Sequence, residues 1–98
     1  MGRAMKSIVQ SDKVCYITGD EYNLHKHHVF GGSNRKLSEH YGLWIYLRAD
    51  WHNLENYSIH MDSALDRRIK AEVQRIAMEH YDWSVDDFIM IFGKNYIL

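Results

Sequence analysis

The sequence predicts a single α+β domain, and three observations carry that expectation. Two runs, Lys13-Val14-Cys15-Tyr16-Ile17 and Leu43-Trp44-Ile45-Tyr46-Leu47, concentrate β-branched, aromatic and large aliphatic residues without a breaker. From Asp62 onward, Leu65, Ile69, Val73, Ile76 and His80 recur at helical spacing on one stripe. Ser84-Val85-Asp86-Asp87 then has the order of a capping box, which starts a second, shorter helix. A chain of 98 residues, 46% apolar and 13% aromatic, suits one domain with a small core and argues against disorder.

Taken in order, residues 1–12 are polar and patternless and are expected to form a loose N-terminal arm. The first β-rich run, the turn chemistry of Thr18-Gly19-Asp20-Glu21 and an extended run over 22–29 together predict a β-hairpin over 14–29. Residues 30–42 read as a loop bounded by Gly31-Gly32 and Gly42, with a helical turn over 35–41. Leu43 to Leu47 becomes a third strand, the hydrophobic floor of the domain. Residues 54–61 form a turn into the long amphipathic helix, which Asp62 or Ser63 caps and which runs to about residue 79, with Asp66 and Lys70 as an i,i+4 pair. Around Ser84, Trp83 and Phe88 hold the positions of a hydrophobic staple, and Gly93 ends the short helix. Phe88, Ile91 and Phe92 should pack on the long helix, and 95–98 forms an apolar tail. No repeat or linker interrupts the chain, so 1–98 reads as one domain.

Composition narrows the function classes. A net charge of −1 argues against a general nucleic-acid coat protein, though local basic patches remain: Lys26, Arg35, Lys36 and Arg48 around the histidine stretch, and Arg67, Arg68, Lys70 and Arg75 on the long helix. The second set reads first as a solvated helix face, and as a DNA contact if the site is catalytic. No run approaches the ~18 apolar residues of a membrane span, and residues 1–10 lack the apolar centre of a secretory signal, so an intracellular address is expected. Cys15 is the only cysteine, which excludes an internal disulfide and an all-cysteine zinc site; it reads as a small buried residue before it reads as a ligand. Any metal must be held mainly by imidazole, carboxylate or carbonyl groups.

The stretch that carries chemistry is Leu24-His25-Lys26-His27-His28-Val29-Phe30-Gly31-Gly32-Ser33-Asn34-Arg35. One imidazole of a neighbouring pair can hold a divalent cation while the other activates water, and Asn34 and Arg35 on the glycine loop can donate to a phosphate. The alternative is a pair of surface histidines with no task. Downstream, Trp51-His52-Asn53 and His60 add further ligand types, with Trp51 either stacking near the site or serving as a core or rim aromatic. His25 reads as exposed, within reach of a phosphate from the ribbon face of His27. His40 reads as a loop residue and His80 as a partly buried helix residue.

His27-His28, a loop with Asn34, a strand, then His52-Asn53 opening toward His60 resembles the HNH endonucleases, whose ββα-metal core packs two strands and a helix around one divalent ion. The likeness covers residues 15 to about 75. It is strongest to small phage and prophage-encoded members with His-His-Val/Ile-Phe-Gly-Gly, Asn-Arg, Tyr-Gly-Leu and a later Gly-Val-His. The resemblance implies His27, His52 and His60 as metal ligands and His28 as general base. It leaves Asn53 as a competing ligand and Asn34 and Arg35 as further site residues. It also implies one divalent ion (Mg, Mn, Ni or Zn), a DNA partner, hydrolysis of a phosphodiester bond, and a phage or prophage origin with action in the bacterial cytoplasm. Family members carry Cys-x-x-Cys at the first hairpin and a later cysteine; here those positions read Cys15-Tyr16-Ile17-Thr18 and Arg48-Ala49-Asp50. The zinc knuckle is therefore expected to be lost. That loss keeps a second reading open, a degenerate relative working as a binding module or as an inhibitor of a host nuclease. A small structural protein with unrelated histidines is a third.

Overall fold

The computed structural model describes residues 5–97; residues 1–4 of the expected arm and residue 98 of the expected tail lie outside the described residues. The elements are β1 (Leu24–His28), α1 (Arg35–Tyr41), β2 (Trp44–Arg48), α2 (Ser63–Tyr81) and α3 (Val85–Phe92). A 3₁₀ turn at Gly32–Asn34 leads into α1, and a π-helical turn at Asp50–Leu54 follows β2. The chain is thus α+β, with a two-stranded antiparallel sheet among its described residues.

The pairing differs from the expected hairpin over 14–29. β1 pairs with β2, Leu24 opposite Arg48 and His28 opposite Trp44, while residues 13–17 form no strand. That segment closes on itself: the Cys15 N–H donates to Asp20 O and the Gly19 N–H to Cys15 O, both at 2.8 Å. Gly19 makes the reversal at φ +81°, so the turn chemistry wins before a strand can extend. Cys15 is buried as expected, and its sulfur accepts from the backbone amides of Thr18 at 3.5 Å and Arg48 at 3.3 Å.

Residues 7–10 of the expected arm are docked on the domain rather than loose. Ser7 Oγ donates to Trp44 O at 2.6 Å, Ile8 N–H donates to Gly42 O at 3.0 Å, and Gln10 Oε1 accepts the Tyr46 N–H at 2.8 Å. Backbone groups on the free edge of β2 need partners, and the arm supplies them. Gly42, the left-handed C-cap of α1 at φ +72°, lies so close that a side chain there would collide with the Lys6 carbonyl.

Both helix expectations hold. Asp62 caps α2 by accepting from the amides of Ala64 and Leu65 at 3.1 Å, and Asp66 pairs with Lys70 at 2.7 Å. At α3, Ser84 Oγ accepts the Asp87 N–H at 3.0 Å and Asp87 accepts the Ser84 N–H at 2.9 Å, a complete capping box. The inward stripe of α2 is Ile69, Val73, Ala77 and Gln74. His80 is exposed rather than partly buried, because Tyr81 takes the inward place in the last turn and donates its hydroxyl to Tyr41 O at 2.7 Å. His40 is likewise a residue of α1 and not of a loop.

Phe30 anchors the core. Its ring lies 5.4 Å from Phe88, 5.0 Å from Phe92 and 5.3 Å from Tyr96. Because Phe30 follows His28 by two residues, burying it against α3 fixes the end of β1 and the histidines on it.

Candidate metal centre

Strand geometry sets the first division among the histidines. Successive residues of β1 face opposite sides of the sheet, so His25 and His27 share one face while Lys26 and His28 share the other. His27 is 7% exposed, opposite the buried Ile45.

Two turns bring His52 and His60 to that face. His52 projects from the π-helical turn after β2, and His60 from the turn ahead of α2. The turns are tied together by the Ile59 N–H, which donates to Trp51 O at 2.8 Å, and by burial of Ile59. Asp50 completes the frame: its carboxylate takes Arg48 Nε at 2.7 Å and Nη2 at 2.8 Å, and Tyr57 Oη at 2.6 Å. Arg48 also pairs with Asp20. This bidentate pair fixes the chain direction between β2 and His52.

One nitrogen from each of His27, His52 and His60 lies within 4.8 Å of the others, close enough to hold one metal ion. The Nε2 atoms of His52 and His60 are 3.2 Å apart, and the His27 ring centroid stands 5.2 Å from that of His52 and 5.3 Å from that of His60. His27 Nε2 is buried with no hydrogen-bond partner among the described residues. A buried imidazole nitrogen without a partner is costly unless something fills the vacancy in its bonding, and a cation does so. Electrostatics agree. Burial, then the neighbouring imidazoles His52 and His60, push the His27 pKa down to about 3. Burial, then His60 and His25, push that of His52 down to about 4. Both rings are therefore neutral near pH ~7 and offer lone pairs, as ligation requires. The donor set fits a divalent ion.

A second layer surrounds these three. His25 Nδ1 lies 2.9 Å from His52 Nδ1, on the side of the ring away from His60. On the opposite face of β1, His28 Nε2 sits 2.8 Å from Glu39 Oε1, which Lys26 also contacts at 2.7 Å. Lys26 and His28 hold the Glu39 carboxyl below its ordinary range, so it is an acceptor and His28 Nε2 carries the proton. His28 nevertheless lines the same cavity as His27, His52 and His60, a cleft of about 760 Å³ reaching Lys70 and Tyr96.

Of the other expected site residues, Arg35 and Asn34 line the cleft and Asn53 does not. Arg35 lies exposed on the cleft wall, and Asn34 lines the cleft but donates its side-chain amide to Phe92 O at 2.9 Å, tying the glycine loop to α3. Asn53 is exposed and outside the cleft lining. Trp51 packs on Tyr57 at 4.6 Å, as a rim aromatic. Glu39, Asp50 and the partnership of His25 with His52 are functional features that the sequence does not single out. Only the last left a signal, the two-residue spacing that puts His25 on the face of His27.

Comparison with protein-family models, with curated proteins and with solved structures finds no match to this chain.

Proposed function

We propose that the chain is a metal-dependent endonuclease of the HNH type, acting on DNA phosphodiester bonds. The observation that carries this reading is the meeting of His27, His52 and His60 beside His28 in one open cleft. Three imidazole ligands leave coordination positions free, the pattern of a catalytic rather than a structural site. Their nitrogen donors favour nickel or zinc over magnesium. A divalent ion bound there would supply Lewis-acid stabilisation of the phosphate and the departing oxygen.

The protein residues divide the remaining work. His28, with Nε2–H committed to Glu39, keeps the lone pair of Nδ1 for the proton of an attacking water. Glu39 orients that ring as the partner of the base, and Lys26 favours the ionised form of the Glu39 carboxyl. Arg35, exposed on the wall of the cleft, attracts the phosphate backbone.

Nicking of supercoiled plasmid in the presence of Mg²⁺, Mn²⁺, Ni²⁺ or Zn²⁺ tests the reading. Wild type should nick with at least one ion, and His28→Ala should be slower by about 10²–10⁴-fold. Nicking no faster than His28→Ala with every ion would rule out turnover and leave the binding-module reading.

A further inference from the structure

Beyond the histidine cleft, α2 carries a second concavity of about 470 Å³, lined by Ser63, Ala64, Arg67, Arg68, Ala71, Arg75 and Tyr96. Three of its seven lining residues are arginines and none is a carboxylate, in a chain whose net charge is −1. The helical spacing explains the arrangement: 64, 67, 68, 71 and 75 fall on one stripe of α2, with alanines as floor and guanidiniums as walls. Arg67 and Arg75 are exposed and form no ion pair among the described residues, while Arg68 is held loosely by Glu72 at 3.7 Å. Isolated arginines of this kind are ordinary. A row of them along a groove, with small residues letting a ligand come close, is not required by the fold.

The groove is continuous with the histidine cleft. Ser63 and Tyr96 line both, and the exposed Lys94 approaches the Tyr96 ring at 5.3 Å, while Lys70, 5.6 Å from the same ring, is paired with Asp66. Arg67 and Arg75 are eight residues apart on α2, about 12 Å along its axis. Projected on a duplex axis, that distance equals roughly three to four rises of ~3.4 Å, enough for the two guanidiniums to meet different phosphates of one strand.

We propose that the Arg67–Arg75 groove is a binding site for the DNA backbone, holding non-scissile phosphates of the strand whose scissile phosphate lies in the histidine cleft. The inference builds on the nuclease reading and adds the direction in which the substrate leaves the centre, along α2 past Tyr96. Contacts of this kind are made to phosphate and carry no base preference.

The test is the salt dependence of duplex DNA binding by fluorescence anisotropy, in EDTA so that cleavage plays no part, for wild type, Arg67→Ala/Arg75→Ala and Arg67→Lys/Arg75→Lys. Each lost phosphate contact lowers the slope of log affinity against log salt by about 0.9, so the alanine pair should lower it by about 2 and weaken unrelated sequences equally. The lysine pair, which keeps both charges, should retain most of the slope. An unchanged slope in the alanine pair, with circular dichroism matching wild type, overturns the groove while leaving plasmid nicking, and so the nuclease reading, intact. DNA binding through the groove without metal-dependent nicking supports the groove and sinks the nuclease reading. Absence of any salt-dependent binding by wild type overturns the groove as well.

Discussion

His25 and His52 meet through their Nδ1 atoms at 2.9 Å, leaving Nε2 of His52 directed at His60. A histidine that ligates through one nitrogen commonly donates the other N–H to a neighbour, which fixes its tautomer and orientation. His25 fills that place for His52. Replacing it with leucine should lower affinity for Ni²⁺ or Zn²⁺ by about 10–100-fold in calorimetric titration, and glutamine, which restores an acceptor, should recover part of the loss. Equal affinity for wild type and His25→Leu would show that the contact does not support the ligand.

The acid side of the stability profile follows from the same cluster. His27 binds its proton at about 3 in the folded chain, against 6.5 as its ordinary value. The unfolded chain therefore takes up protons below about pH 6.5 that the folded chain does not, and stability rises with pH across that window. The contribution is full above the ordinary value and is lost progressively as pH falls toward the folded one. Between about pH 7 and pH 5, His27 should remove roughly 2 kcal/mol from the unfolding free energy of the metal-free protein. His52, lowered to about 4, acts in the same direction. Urea denaturation at the two pH values measures it, and His27→Gln should flatten the dependence. A metal-free protein equally stable at both would contradict the burial of a neutral His27.

His28 is separable from the candidate ligands because it lies on the other face of β1, where Glu39 of α1 meets it. Glu39→Gln should slow nicking by about 10-fold or more through misorientation of the base, and His28→Ala should cost about 10²–10⁴-fold. Both variants should keep wild-type affinity for the ion. Loss of metal affinity in either would place His28 among the ligands instead.

Much of this architecture was legible because it is written locally. Asp62, the Ser84–Asp87 box and Gly93 mark helix ends with side chains that satisfy backbone groups a few residues away, and the structure uses them in that way. The segment around Cys15 was not, since its β-rich composition competes with a turn whose closing bonds involve Asp20 and the sulfur. Gln74 was equally hidden: it is fully buried, donating to Asn95 Oδ1 at 2.8 Å and accepting the Tyr96 N–H at 2.7 Å, partners more than twenty positions away. The candidate ligands were legible as residue types in order. Glu39 was not, because its partner His28 lies across the glycine loop and only the packing of α1 against β1 joins them.

Phe30 links that packing to the site. Its ring is 1% exposed among Phe88, Phe92 and Tyr96. Phe30→Ala should destabilise the chain by about 3–5 kcal/mol. At ~4–8 °C per kcal/mol for a domain of this size, thermal unfolding would shift by at least 12 °C or so. A shift of only a few degrees would show that the aromatic cluster does not hold α3 to the strand.

The proposed chemistry depends on three histidines from three separate segments holding one ion. Isothermal titration of the metal-free protein with Ni²⁺ or Zn²⁺ tests it most directly. About one ion should bind per chain, with affinity lowered by at least tenfold in His27→Ala, His52→Ala and His60→Ala alike while His80→Ala binds as wild type. No binding, or binding that survives the loss of His52 or His60, would contradict it.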